Sequence, residues 1–147
     1  MKTTLKIACM ILSFFYVLFG LISLFNWVIG NFPLSNLNII KIWIIDIPAD
    51  LGYTLFMLTV GLLLIYGAFT KEILSISCLF IGSLLALSGM ALQIIIAISN
   101  LIDAYIITLF GEQLAITLVN DLLRPEVVLG TACLPLLIIS IQMIKEI

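Results

Sequence analysis

The sequence predicts an all-α membrane protein with four transmembrane helices. Four long stretches contain no charged side chain: residues 7–40, 51–70, 73–102 and 127–144. Three of them reach or exceed the about 20 residues that a helix needs to cross about 30 Å of hydrocarbon, and the fourth comes close. Hydrophobic residues make up 64% of the chain and charged residues 10%, against about 45–50% and about 25% in soluble domains. This composition predicts a polytopic protein in a lipid bilayer.

Four helices and their connections use nearly all of the 147 residues, so we expect one transmembrane domain over residues 1–147. About three residues join the second and third spans, which predicts a helical hairpin and an antiparallel bundle. A secretory signal before the first span is not expected, because the apolar run outlasts the about 7–15 residues of a signal core. The predicted spans are about 7–29, 51–70, 73–100 and 127–145, with outer segments 30–50 and 101–126.

The second outer segment has the pattern of a short amphipathic helix over residues 112–123. At 100° per residue its polar and apolar side chains separate onto two faces, which predicts a helix lying in the membrane interface. Pro125 suits the first turn of the last span. A helix that caps the bundle is the favoured interpretation, and a gate or lid is the alternative.

Small and polar residues form a stripe along the third span. They recur at spacings of three and four, so they share one helix face, and Ala104 would extend the stripe if the helix continues. Helices in lipid associate by close backbone approach at small residues and by hydrogen bonds, and Gln93 needs a partner there. The stripe consists of Ser75, Cys78, Gly82, Ala86, Gly89, Gln93, Ala97 and Asn100.

The first span carries a shorter stripe of the same kind, and the two stripes could face each other. Two interpretations stay open: both stripes are internal seams of a four-helix bundle, or one of them docks a partner protein. The first-span stripe consists of Cys9, Ser13, Tyr16, Gly20 and Ser23.

The sequence offers few groups for chemistry. It contains no His, the usual general base and commonest metal ligand, and no phosphate-binding or zinc-binding motif. We therefore expect no enzymatic activity, no metal site and no cofactor. Cys9, Cys78 and Cys133 lie in three different spans and are expected to be buried small hydrophobic residues.

Carboxylates cluster in the predicted outer segments, where solvated loop charges are the favoured interpretation and a cation site at Asp46 and Asp50 is the alternative. No charged residue falls inside a predicted span except Lys145 at the very end of the last one, although ion-coupled transporters usually carry charge within the bilayer. Pro135 predicts a kink in the last span. The strongly polar residues left within the spans are Asn26, Gln93 and Gln142.

Three functions fit this pattern. The first, which we favour, is a noncatalytic small membrane subunit that packs against other integral membrane subunits in a larger complex. The second is a small oligomeric channel or transporter for a neutral or apolar solute, for which a homo-oligomer is expected. The third, an enzyme acting through Asp46, Asp50 or Asp103, is the least expected. No basic cluster indicates a nucleic-acid partner.

Basic residues predict the orientation in the membrane. With four spans, Lys2, Lys6, Lys71 and Lys145 lie on one side, and only Lys41 and Arg124 lie on the other. The positive-inside rule then places both termini in the cytoplasm, most simply at the cell membrane. A reporter that works only in the cytoplasm should therefore be active when it is fused to the C-terminus, and a reporter that works only outside the cell should be inactive there. An external C-terminus would contradict the four-span topology.

Overall fold

The computed structural model describes residues 3–32, 47–70, 72–110 and 122–145, and it is helical almost throughout. All four helices are long and apolar enough to cross a membrane, which confirms the all-helical class and the predicted number of candidate spans. The predicted amphipathic helix lies almost wholly outside the described residues, as does Asp46. The helices are α1 (Thr3–Asn31), α2 (Leu51–Phe69), α3 (Glu72–Leu109) and α4 (Pro125–Lys145).

Helix α3 is longer than the sequence indicated. The predicted span ended near residue 100, but the helix continues to Leu109 and includes Asp103. At 1.5 Å per residue its 38 residues extend about 57 Å, whereas the 19 residues of α2 extend about 28 Å. The sequence leaves open whether the helix continues past residue 100, and the structure shows that it does.

Asp50 has a structural role at the start of α2. Its Oδ1 accepts a hydrogen bond from the backbone N–H of Tyr53 at 2.8 Å, so that it caps the helix. Before it, Ile47 is buried in the core. At the start of α4, Pro125 occupies the predicted first helical position.

Each helix packs against the next one along the chain. α1 lies against α2, α2 against α3, and α3 against α4, and a smaller contact between α4 and α1 closes the group. In the described part of the chain, α1 and α3 share at most marginal contact. The core contains buried side chains from all four helices, among them Tyr16, Met57, Leu64, Leu79 and Cys133.

Gly61 and Gly130 allow close backbone approaches between helices. A Cβ built on Gly61 would lie 2.7 Å from Val17 Cγ2 and 3.2 Å from the Val17 backbone nitrogen, so α2 meets α1 directly there. A Cβ on Gly130 would lie 2.6 Å from Met90 Cβ and 3.0 Å from the Ala86 carbonyl oxygen. At Gly130, neither of these two atoms is the free end of a flexible side chain. The contact between α3 and α4 therefore has no room for a methyl group.

Gly130→Ala should lower the free energy of unfolding by about 1–3 kcal/mol, because the added methyl group overpacks the contact with Met90 and Ala86. SDS titration followed by circular dichroism measures this. Gly30→Ala is the control, since a Cβ there meets nothing within 4 Å; it should leave stability unchanged or raise it by up to about 1 kcal/mol. Equal behaviour of the two variants would refute the close contact.

Candidate functional site

Most of the α3 stripe is buried against α2 and α4. Ser75, Gly82, Ala86, Gln93 and Ala97 are buried, Cys78 and Gly89 are half-buried, and Asn100 is exposed. The Ser75 hydroxyl donates to the Gly67 carbonyl oxygen at 2.5 Å. Gly82 faces Leu63 and Leu64 of α2, Gly89 faces Phe56 of α2, and the Ala86 carbonyl faces Gly130 of α4.

The α1 stripe lies against α2 and α4. Gly20 faces Met57 and Leu58, and the Ser13 carbonyl oxygen faces Gly61. The idea that the two stripes face each other is therefore wrong, because α2 and α4 lie between α1 and α3. Helical periodicity identifies a face of a helix but not the helix that this face meets.

Two of the three cysteines are completely buried. Cys9 and Cys133 have no exposed surface, Cys78 is half-buried, and all three are free thiols. Cys133 Sγ lies 3.9 Å from the hydroxyl oxygen of the buried Tyr16. The burial of Cys9 and Cys133 agrees with the expectation that they act as small buried hydrophobic residues.

A hydrogen-bonded group joins α1 to the start of α2. The Ser23 hydroxyl lies 2.6 Å from the Pro48 carbonyl oxygen, to which it donates. The Thr54 hydroxyl lies 2.9 Å from Ser23 Oγ and 2.9 Å from the Asp50 carbonyl oxygen. Ser23 has no exposed surface and Thr54 almost none, so this group fixes the non-helical residues before α2 to α1.

Glu126 is the main departure from the sequence interpretation. It was counted with the solvated outer carboxylates, but it lies in the first turn of α4 and is only 8% exposed. Its Oε2 is buried and has no hydrogen-bond partner among the described residues, and the same holds for the Tyr53 hydroxyl. A buried polar atom without a partner is costly and calls for an explanation.

Glu126 and Tyr53 line one cavity of about 370 Å³ between α2, α3 and α4. Its walls are mostly apolar, with Phe56 on the α2 side. Leu92 and Ile96 of α3 also line it and are 62% and 48% exposed, so the mouth opens on the outer surface of the helices. The remaining lining residues are Gly52, Gly89 and Gln93.

Gln93 has the partner that its position required. The Arg124 guanidinium donates from Nη1 to Gln93 Oε1 at 3.4 Å. Arg124 is half-buried, directly precedes α4 and lies two residues before Glu126 in the chain. Of the other polar residues predicted within the spans, Asn26 is fully buried and Gln142 is exposed.

This cluster of Tyr53, Gln93, Arg124 and Glu126, called the Glu126 site below, was not predicted as a unit. A signal for part of it was present: Pro125 at the first position of a helix implies that Glu126 belongs to the helix. The charge-free criterion started the last span at Val127 and so excluded Glu126. The burial of Tyr53 beside it depends on how α2 and α4 pack, which no local pattern states.

Among the described residues, no group of three His, Cys, Asp or Glu side chains could hold a metal ion. No protein-family model, no curated protein and no solved structure matches this chain.

Ser23→Ala should lower the free energy of unfolding by about 1–3 kcal/mol, because it leaves the Pro48 carbonyl oxygen without its buried donor. Thermal unfolding in a mild detergent measures the loss. Ser77→Ala is the matched control: its hydroxyl is exposed and donates only within α3, to the Ile73 carbonyl oxygen at 3.0 Å. The control should change stability by less than about 0.5 kcal/mol, and a similar loss in both variants would argue against the role of Ser23.

Proposed function

We propose that this protein is a noncatalytic integral membrane subunit that binds a larger partner protein through the C-terminal part of α3. The observation that carries the proposal is the exposure of residues 98–109, called the α3 extension. Ala97 is the last buried residue of α3, and every residue from Ile98 to Leu109 is exposed or half-buried. These 12 residues extend about 18 Å.

The α3 extension is amphipathic and its apolar face is large. At 100° per residue, Ser99, Asn100 and Asp103 share one side of the helix, on which Ile107 also lies. The opposite side consists of six exposed large side chains: Ile98, Leu101, Ile102, Tyr105, Ile106 and Leu109. Contiguous apolar surface of this kind marks a site of interaction with another protein or with a membrane.

The length of α3 favours a protein partner. α2 and α4 extend about 28 and 32 Å from their 19 and 21 residues, which matches one hydrocarbon thickness of about 30 Å. α3 is about 57 Å long by the same rise. If α2 and α4 fill the bilayer, much of the α3 extension projects from it, where lipid tails cannot cover its apolar face.

The small-residue stripes have a different role in this proposal. The α3 stripe contacts α2 and α4, and the α1 stripe contacts α2, so both are proposed to be internal seams of the bundle. In the contacts between α1 and α2, the later residue of α1 lies against the earlier residue of α2. Ser23 contacts Thr54, and Ser13 contacts Gly61. This order supports an antiparallel bundle. We also propose an interfacial helix at residues 112–123 and a cytoplasmic position for both termini.

The alternative is a channel or transporter for a neutral or apolar solute. The Glu126 site gives it one supporting observation, since the cavity could admit a solute. Beyond the cavity, however, the described interior is filled by Tyr16, Met57, Cys133 and other fully buried side chains. A pathway would thus have to run between copies of the chain, and a closed homo-oligomer is what this alternative predicts.

Ile102→Asn combined with Ile106→Asn should abolish partner binding while leaving the fold intact, because both side chains are exposed on the apolar face of the α3 extension. Native mass spectrometry of the gently solubilised protein measures the stoichiometry of copurifying subunits. The wild type should carry a foreign subunit at a fixed ratio, and the double variant should lose it.

Leu55→Asn combined with Leu62→Asn is the matched control, since these residues are 58% and 60% exposed on α2. This control should retain the partner if it still inserts into the membrane. A closed homo-oligomer without foreign subunits would replace the subunit proposal by the channel alternative. Retention of the partner by the α3 variant would exclude the α3 extension as the docking surface.

A further inference from the structure

The Glu126 site has the properties of a binding site rather than of a packing defect. Two polar atoms from different helices, Glu126 Oε2 and the Tyr53 hydroxyl oxygen, are both buried without partners among the described residues. Both residues line the same cavity. A volume of about 370 Å³ falls in the range of about 300–1,000 Å³ that is usual for small-molecule sites.

The two atoms define what a ligand must offer. A carboxylate oxygen only accepts hydrogen bonds, and a phenol hydroxyl both accepts and donates. A ligand group that donates several hydrogen bonds and carries positive charge would satisfy Glu126 Oε2 and the Tyr53 hydroxyl together. A primary ammonium group has three N–H donors and a positive charge, and charge-assisted hydrogen bonds of this kind are the strong ones.

The walls define the rest of the ligand. Phe56, Leu92 and Ile96 line the cavity, and the latter two continue onto the exposed surface of α3. In a helix that crosses a membrane, such exposed apolar side chains face lipid tails. A ligand that enters from this side must carry apolar chains next to its polar head.

We propose that the cavity between α2, α3 and α4 binds the primary ammonium group of an amphiphile. Glu126 accepts its N–H groups, Tyr53 completes the hydrogen bonding, and the apolar chains leave past Leu92 and Ile96. The ammonium group could belong to a phospholipid with an ethanolamine head or to a free long-chain amine. In the phospholipid, the adjacent phosphate would find the half-buried Arg124 guanidinium, whose Nη1 lies 3.4 Å from Gln93 Oε1; a free amine lacks this second contact.

The first experiment uses the full chain in a mild detergent and titrates dodecylamine against it by calorimetry. Wild-type protein should bind saturably, and Glu126→Gln should bind at least about tenfold more weakly because a charge-assisted hydrogen bond is lost. Asp103→Asn is the matched control, since Asp103 is exposed on α3, and it should bind like the wild type. Dodecyltrimethylammonium, which has the charge but no N–H donor, should bind wild type at least about tenfold more weakly than the primary amine does.

Tyr53→Phe provides a second variant, with Tyr66→Phe as its control on the same helix. The Tyr53 hydroxyl is buried in the cavity, whereas Tyr66 is 52% exposed. Tyr53→Phe should weaken dodecylamine binding and Tyr66→Phe should not. Unchanged binding by Tyr53→Phe would contradict the proposal even if Glu126→Gln failed to fold.

A structural role of Glu126 predicts a different result. If Glu126 only stabilises α4, Glu126→Gln should lower the unfolding temperature without amine. If Glu126 serves a ligand, Glu126→Gln should be at least as stable as the wild type without amine, because the substitution removes a buried carboxylate that lacks a partner. Dodecylamine should then stabilise only the wild type. Equal binding of dodecylamine by wild type and Glu126→Gln, or no binding by either, would overturn the proposal.

The second experiment identifies the source of the ammonium group. The protein is reconstituted in nanodiscs with equal amounts of phosphatidylethanolamine and phosphatidylcholine, and the retained lipids are counted by native mass spectrometry. Enrichment of phosphatidylethanolamine in the wild type, lost in Glu126→Gln, supports a lipid ligand. Dodecylamine binding without this enrichment supports a free amine. Neither result depends on the partner protein, so the proposal can fail or hold independently of the docking role of the α3 extension.

Discussion

Direct contact between helix backbones is the constraint on which the rest of this structure depends. Helices surrounded by lipid gain little from hydrophobic association, so van der Waals contact and hydrogen bonds must hold them together. Gly61 lets α2 reach the backbone of α1 at Val17, and Gly130 lets α4 reach the backbone of α3 at Ala86. With larger residues at these two positions the helices would separate, and the buried hydroxyl groups would lose partners on the neighbouring helix.

Close approach also explains where the polar side chains can be. Ser75 reaches the Gly67 carbonyl oxygen because α2 and α3 are in contact near the short connection between them, where Gly67 faces Leu79. Ser23 reaches the Pro48 carbonyl oxygen because Gly20, one turn earlier, brings α1 onto α2. In each case the glycine contact and the hydrogen bond of the hydroxyl join the same two helices, so the seam and its hydrogen bonds form together. The Glu126 site differs, since the Tyr53 hydroxyl and Glu126 Oε2 are buried without a hydrogen-bond partner among the described residues, while both residues line one cavity.

The sequence predicted the helices better than it predicted their relations. Absence of charge and spacing of small residues are local properties, and they sufficed to identify four candidate spans and the face of α3 that contains Gly82 and Ala86. They did not reveal that α2 and α4 lie between α1 and α3, because a stripe does not specify its neighbour. The predicted third span ends near residue 100 and leaves open whether the helix continues; α3 reaches Leu109, since a helix does not have to end where an apolar span ends.

The error over Glu126 shows how charge should be interpreted in such a chain. A criterion that demands charge-free spans assigns every carboxylate to a loop, and it moved the start of the last span by two residues, from Pro125 to Val127. Helix geometry gives the opposite assignment, because Pro125 fits the first turn and an acidic residue in that turn interacts favourably with the helix dipole. The dipole and the nearby Arg124 reduce the cost of burying Glu126, but they supply no hydrogen bond to Oε2. A carboxyl group that is buried at the end of a span and lines a cavity is therefore more informative about function than the absence of charge along the remaining helices.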